Sequence, residues 1–174
     1  MSRTAWWQRG PVPGVPDLLQ PVAHILRQVG ESVDELVDGL TESQWNARPA
    51  GVASVGFHVR HIAGVVDRLF TYARGEALSD AQHPALAMEG DPVASSDIPA
   101  VRQRLHARLD SAVAELRTID PAILHEFRGV GRAGLPSTVI GCLGHGAEHG
   151  MRHVGQLSVT TRIVQSGLGV ETGT

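Results

Sequence analysis

Three of the nine histidines, His145, His149 and His153, recur four residues apart, and Gln156 follows three residues later. At about 100° per residue these positions stack along one face of a helix. A ring that forms helices poorly has little reason to recur on a solvated helix face. Two neutral imidazoles one turn apart can grip a single divalent cation, and a third ligand from another element would complete a site with open positions. The run His145, Glu148, His149 also spells an inverted zinc-protease motif with Glu148 as general base. That reading leaves His153 unexplained and gives an extended peptide no cleft edge. The forward motif fails because Gly150 stands where its Glu belongs, and a carboxylate-bridged di-iron centre fails because the chain has no Glu-x-x-His pair. The bland alternative is a set of buried polar spacers without a metal.

An earlier segment offers the missing ligand from His58 or His61, three apart and so on adjoining faces. Periodicity slightly favours His58, which fills an apolar seam. His24, His83, His106 and His125 have no partner at ligand spacing and read as ordinary surface or core residues. Cys142 reads as a small packing residue. Glu148 and Arg152, four apart, read as a helix-surface pair, and Asp67 and Arg68 as a solvated side.

The whole chain, 174 residues with 42% apolar and 19% charged side chains, suits one domain with one core over 1–174. A net charge of -3 without basic runs argues against nucleic-acid binding. No apolar stretch approaches the ~20 residues of a membrane span. No signal-like segment opens the chain, and the single cysteine forbids an internal disulfide, so a cytoplasmic setting is expected. All fifteen basic residues are Arg, which rules out lysine chemistry.

Residues 1–14 read as an extended arm that Trp6 and Trp7 could dock on the body or on a second subunit. A first helix is predicted from Pro16 or Pro21 to Asp38, with Leu18, Val22, Ile25, Val29, Val33, Leu36 and Leu40 as its apolar stripe. Thr41 to Gln44 forms a capping box that opens a short turn around Trp45. Ser54 caps a second helix running to Arg74. Residues 75–97 lack a period and read as a crossover along a bundle, which makes the second and third helices parallel neighbours. The third helix spans Ile98–Ile119, a short extended piece is placed at Ile123–Phe127, and a fourth helix runs from Pro136 or Ser137 to Gln165. Residues 167–174 read as a frayed tail. The fold class is therefore all-α, a four-helix bundle.

Between Val139 and Gln156 the fourth helix carries five glycines, each costing roughly 0.5–1 kcal/mol relative to Ala. Close helix approach or metal bonds would have to offset that. With apolar residues nearly all round, it reads as the most buried helix, where imidazoles stay neutral.

LTESQWNARP (40–49) followed by SVGFHVRHIA (54–63) resembles the first block of DinB-like proteins, and HGMRHVGQ (149–156) is similar to their second. The resemblance covers roughly residues 15–165. It implies an up-down-down-up bundle with a long crossover between the second and third helices, often as a homodimer. It also implies a divalent metal (zinc or nickel first, iron or manganese next) held by His61, His149 and His153. His145 is not a usual ligand in that family, and Val154 stands where relatives often carry Arg. The implied activity is metal-dependent transfer or isomerisation of a small molecule with a low-molecular-weight thiol such as bacillithiol or mycothiol, or else hydrolysis. The metal would stabilise the thiolate or hydroxide. Gln156, His145, His58 and Glu148 are then candidates around the site. The alternative is a non-catalytic, stress-related or ligand-binding bundle with a vacant or structural metal site.

Overall fold

Short turn signals and apolar stripes set the elements. The computed structural model describes residues 4–167. It is mostly helical, with α1 (Gln20–Val37), α2 (Glu42–Asn46), α3 (Val55–Ala73), α4 (Gln82–Ala87), α5 (Ile98–Leu116) and α6 (Val139–Ser166). One antiparallel hairpin joins β1 (Phe127–Val130) to β2 (Leu135–Thr138). Caps follow the sequence closely. Thr41 and Gln44 exchange side-chain and backbone bonds ahead of α2, Ser54 accepts from the Phe57 amide, and Thr138 accepts from the Gly141 amide. Gly167, with φ 72°, ends α6 in the left-handed conformation.

The four long helices pack in a cycle, α1 against α6 and α5, and α3 against α6 and α5. Arg27 pairs with Asp110 and Asp34 with Arg102, so α1 and α5 run in opposite directions. Arg108 lies near Asp67 and Arg74 pairs with Glu115, so α3 and α5 run the same way. Gly146 lies against Leu69 and Gly150 against Ile62, which opposes α3 to α6. The core fills the space between them, with Leu26, Val29, Val33, Ile62, Val66, Leu105, Leu116, Leu143 and Leu157 buried.

Several expectations need correction. Leu18 is 67% exposed because it sits in a 3-10 turn before α1, and the buried stripe runs instead through Leu19, Val22, Leu26, Val29, Val33 and Val37. The crossover at 75–97 also carries short helical pieces with no periodic signal, α4 and a 3-10 turn at Met88–Gly90. The strand falls at 127–130, after a 3-10 turn at Pro121–Ile123, since Asp120 caps that turn. The third long helix stops at Leu116, and α6 starts at Val139. α6 buries 12 of its 28 residues, against 11 of 19 for α3, so α3 is the more buried helix. Residues 4–16 include a 3-10 turn at Trp6–Gln8 and lie on α1 through Val12, Val15 and an Arg9–Glu31 ion pair. The predicted tail from 168 onward lies outside the described residues. No helix among those described is long and apolar enough to cross a membrane.

The glycines of α6 differ in their surroundings, and a Cβ at Gly141 would lie 2.6 Å from Oγ of Ser137. A Cβ at Gly146 or Gly150 would meet neighbours at 3.5–3.6 Å, whereas Gly144 and Gly155 face open space. A methyl at Gly146 or Gly150 would sit in ordinary contact, so close packing does not require glycine at these four positions. Gly144→Ala and Gly155→Ala should each raise the unfolding free energy by about 0.5–1 kcal/mol in urea titrations, with an unchanged slope.

Candidate metal centre

The site begins with a face of α3. Phe57, His61, Gly64 and Arg68 follow at helical spacing. Across from them α6, running the other way, presents His149 and His153. The Nε2 atoms of His61 and His153 each lie 3.1 Å from Nε2 of His149. His153 is buried, while His61 and His149 are half-buried.

Partners on the far side of two rings fix which nitrogen faces inward. Nδ1 of His61 lies 2.7 Å from Oε2 of Glu89, whose carboxylate is held below its ordinary pKa by the hydrogen bonds from His61 and Arg68, against the opposing pull of burial. An ionised carboxylate only accepts, so His61 Nδ1 carries the proton and its Nε2 presents a lone pair. Phe57 stacks on the same ring at 5.0 Å between centroids. Nδ1 of His153 lies 2.9 Å from Nδ1 of buried His58, so one proton is shared between them. With His58 as acceptor, His153 also turns a lone pair inward.

Without a cation, the inward nitrogens are poorly served. One N–H on His149 Nε2 cannot donate well to two lone pairs at once. A tetrahedral cation at ~2.0–2.1 Å from each nitrogen would space its ligands about 3.3 Å apart, close to what is observed. These three nitrogens could therefore hold a metal ion. Burial, reinforced by neighbouring histidines, lowers the pKa of both His58 and His153 from 6.5 to about 4 and also lowers that of His149. The neutral form that metal ligation needs is thereby the resting one.

The other candidates lie outside this constellation. His145 and Glu148 are about half exposed and 3.3 Å apart. Both oxygens of Glu148 accept from Arg152, which holds its carboxyl below the usual range. His145, Glu148 and His149 form a second, more exposed group that could hold a metal ion, in which Glu148 already pairs with Arg152. Gln156 is exposed and makes no hydrogen bond to the rings. Cys142 is buried in the core. Asp67 and Arg68 are not a solvated pair. Arg68 is 12% exposed and bonds Glu89 at 2.7 Å, while Asp67 accepts from Gln82.

Glu89 and Arg68 are the residues that sequence reasoning missed. Glu89 belongs to an aperiodic segment and nothing in its own neighbourhood marks it. Gly64 is the one available sign. A Cβ there would collide with Oε1 of Glu89 and sit 2.7 Å from Nη1 of Arg68, so glycine leaves the notch that the carboxylate fills.

A family model of the DinB superfamily matches residues 25–157, a span that contains all three inward rings. The chain belongs to the DinB superfamily. Among solved structures, this DinB-superfamily chain resembles a conserved protein from Enterococcus faecalis (TM-score 0.72, 19% identity), with 87% of this chain and 99% of that one aligned. It also resembles a DinB-like protein from Bacillus cereus ATCC 10987 (TM-score 0.55, 18% identity), over 87% of this chain and 96% of that one. No curated protein matches it. At these identities the two structures speak for the fold.

Two outcomes follow. Because the folded pKa of His58 and His153 lies below the unfolded value, the unfolded chain takes up protons first as pH falls. The metal-free fold is thus at full strength above about pH 6.5 and weakens down to about pH 4. Its thermal midpoint should drop by several degrees over that interval, and less in His58→Leu. Separately, Gly64→Ala should expel Glu89 and cost roughly 1–3 kcal/mol in urea unfolding, the worth of hydrogen bonds to charged groups.

Proposed function

We propose that His61, His149 and His153 bind one divalent cation through their Nε2 atoms. On this reading the protein is a metal-dependent enzyme acting on a small molecule. The carrying observation is the convergence of three inward nitrogens, two of them with the opposite nitrogen already partnered by Glu89 or His58. The helix directions support an up-down-down-up four-helix bundle whose crossover carries Glu89 back onto α3.

When bound, the cation supplies Lewis acidity, polarising an electrophile and stabilising an anionic nucleophile at neutral pH. The chain's own residues do the rest. Glu89 retains the Nδ1 proton of His61 and raises the basicity of the ring, as carboxylates behind metal-binding histidines do. His58 accepts the Nδ1 proton of His153 and fixes that ring's tilt. Phe57 covers one face of His61 and keeps water from it. Three protein nitrogens leave positions for substrate, which suits an activated thiol. A transferase or isomerase using a low-molecular-weight thiol such as bacillithiol or mycothiol is the preferred chemistry, with hydrolysis as its alternative. Zinc or nickel suits three imidazoles best.

A second reading, a non-catalytic binding bundle, draws on one observation: the inward nitrogens lie within hydrogen-bond distance of one another. Elemental analysis of protein purified without added metal tests the ligand set and separates a metal-loaded protein from a bundle whose site stays vacant. About one zinc or nickel per chain is expected in the wild type and little in His61→Ala or His149→Ala. Equal content in all three rejects the ligand set. Glu89→Gln should keep the metal but weaken its affinity by about 10–100-fold.

A further inference from the structure

Beneath the segment that joins α3 to α5 lies a chamber of about 520 Å³ that none of the three inward rings lines. Arg60, Ala63, Gly64 and Asp67 form its side on α3, at the spacing of one helix face. Val101, Arg104 and Arg108 form the side on α5, again one face, and Ala85 and Met88 close it from above. Three guanidinium groups therefore border one cavity.

Most of the acids around it are already committed. Glu89 is held by Arg68 and His61, and Asp67 accepts from Gln82 with Arg108 3.8 Å away. Exposed Asp91 is the remaining carboxylate along the lining. The cations are less committed. Arg60 donates through one nitrogen, to the carbonyls of Met88 and Asp91. Arg104 is exposed and makes no ion pair or hydrogen bond. Arg108 is the most committed of the three, giving its terminal nitrogens to Glu115 and Ser111.

We propose that this chamber binds a small organic anion, a carboxylate on an apolar body. Guanidinium forks match a carboxylate's two oxygens. Ala63, Met88 and Val101 offer the body a mainly apolar bed, and the volume falls within that of small-molecule sites. Glu89, whose carboxylate reaches His61, is also among the residues lining the chamber. An occupant would thus lie one side chain from the histidine cluster.

The probe is 2-naphthoate, titrated calorimetrically into full-length protein stripped of metal with a chelator, with the isosteric neutral 2-naphthamide as control. The expected result is saturable naphthoate binding at least about tenfold tighter than the amide. Arg104→Ala, an exposed change that leaves the thermal midpoint in place, should weaken it several-fold. Ala85→Trp, which fills the chamber from its exposed lid, should abolish it. Equal affinity for acid and amide, or undiminished binding in both variants, overturns the proposal. Since the protein is metal-free throughout, neither result bears on the metal ligands. The metal content of the variants tests those separately.

Discussion

A carboxylate from the crossover, driven into a notch on α3, governs both the shape and the chemistry of this protein. Glu89 is only 5% exposed, and burying a lone carboxylate would cost several kcal/mol. The cost is tolerable here because Arg68 and His61 meet its two oxygens, each at 2.7 Å. That arrangement needs the absent side chain of Gly64. It pins the long connection against the helix it has just left, and it fixes which nitrogen of His61 faces α6. One buried carboxylate thus ties together the chain path, the roof of the chamber and the orientation of an inward nitrogen.

The opposing helix answers with a different device. α6 presents two imidazoles one turn apart and carries small residues, Gly146 and Gly150, where Leu69, Ile62 and Val29 come near. Its outer side carries Glu148 and Arg152, which satisfy each other in solvent. The helix is therefore two-sided, with a wet ion pair behind and neutral rings in front. Depressed basicity at His153 and His58 is a consequence of that placement, because burial disfavours the charged ring.

Cluster and chamber are neighbours with separate chemistries. The cluster brings together three imidazole nitrogens that could hold a cation, and three arginines line the chamber. Glu89 touches both, through His61 on one side and the cavity on the other. Any change that moves this carboxylate would be felt in two places, and this is why a single glycine on α3 matters more than its size suggests.

Periodicity, capping residues and the i, i+4 histidines determined the four long helices, the turn at Trp45 and two members of the inward triad, because each is a local pattern repeated at helical pitch. The family resemblance, rather than spacing, chose His61 over His58. Spacing could not decide between them, since both rings reach α6, one toward the inward cluster and the other behind His153. Other features had no local signal. Glu89 finds His61 across 28 residues of chain, and Arg108 meets the crossover only after α5 has packed. Which histidine turns outward, which acid is buried and where a cavity remains are set by how helices of known pattern come together. Those outcomes depend on distances between elements, and no single stretch of chain contains them.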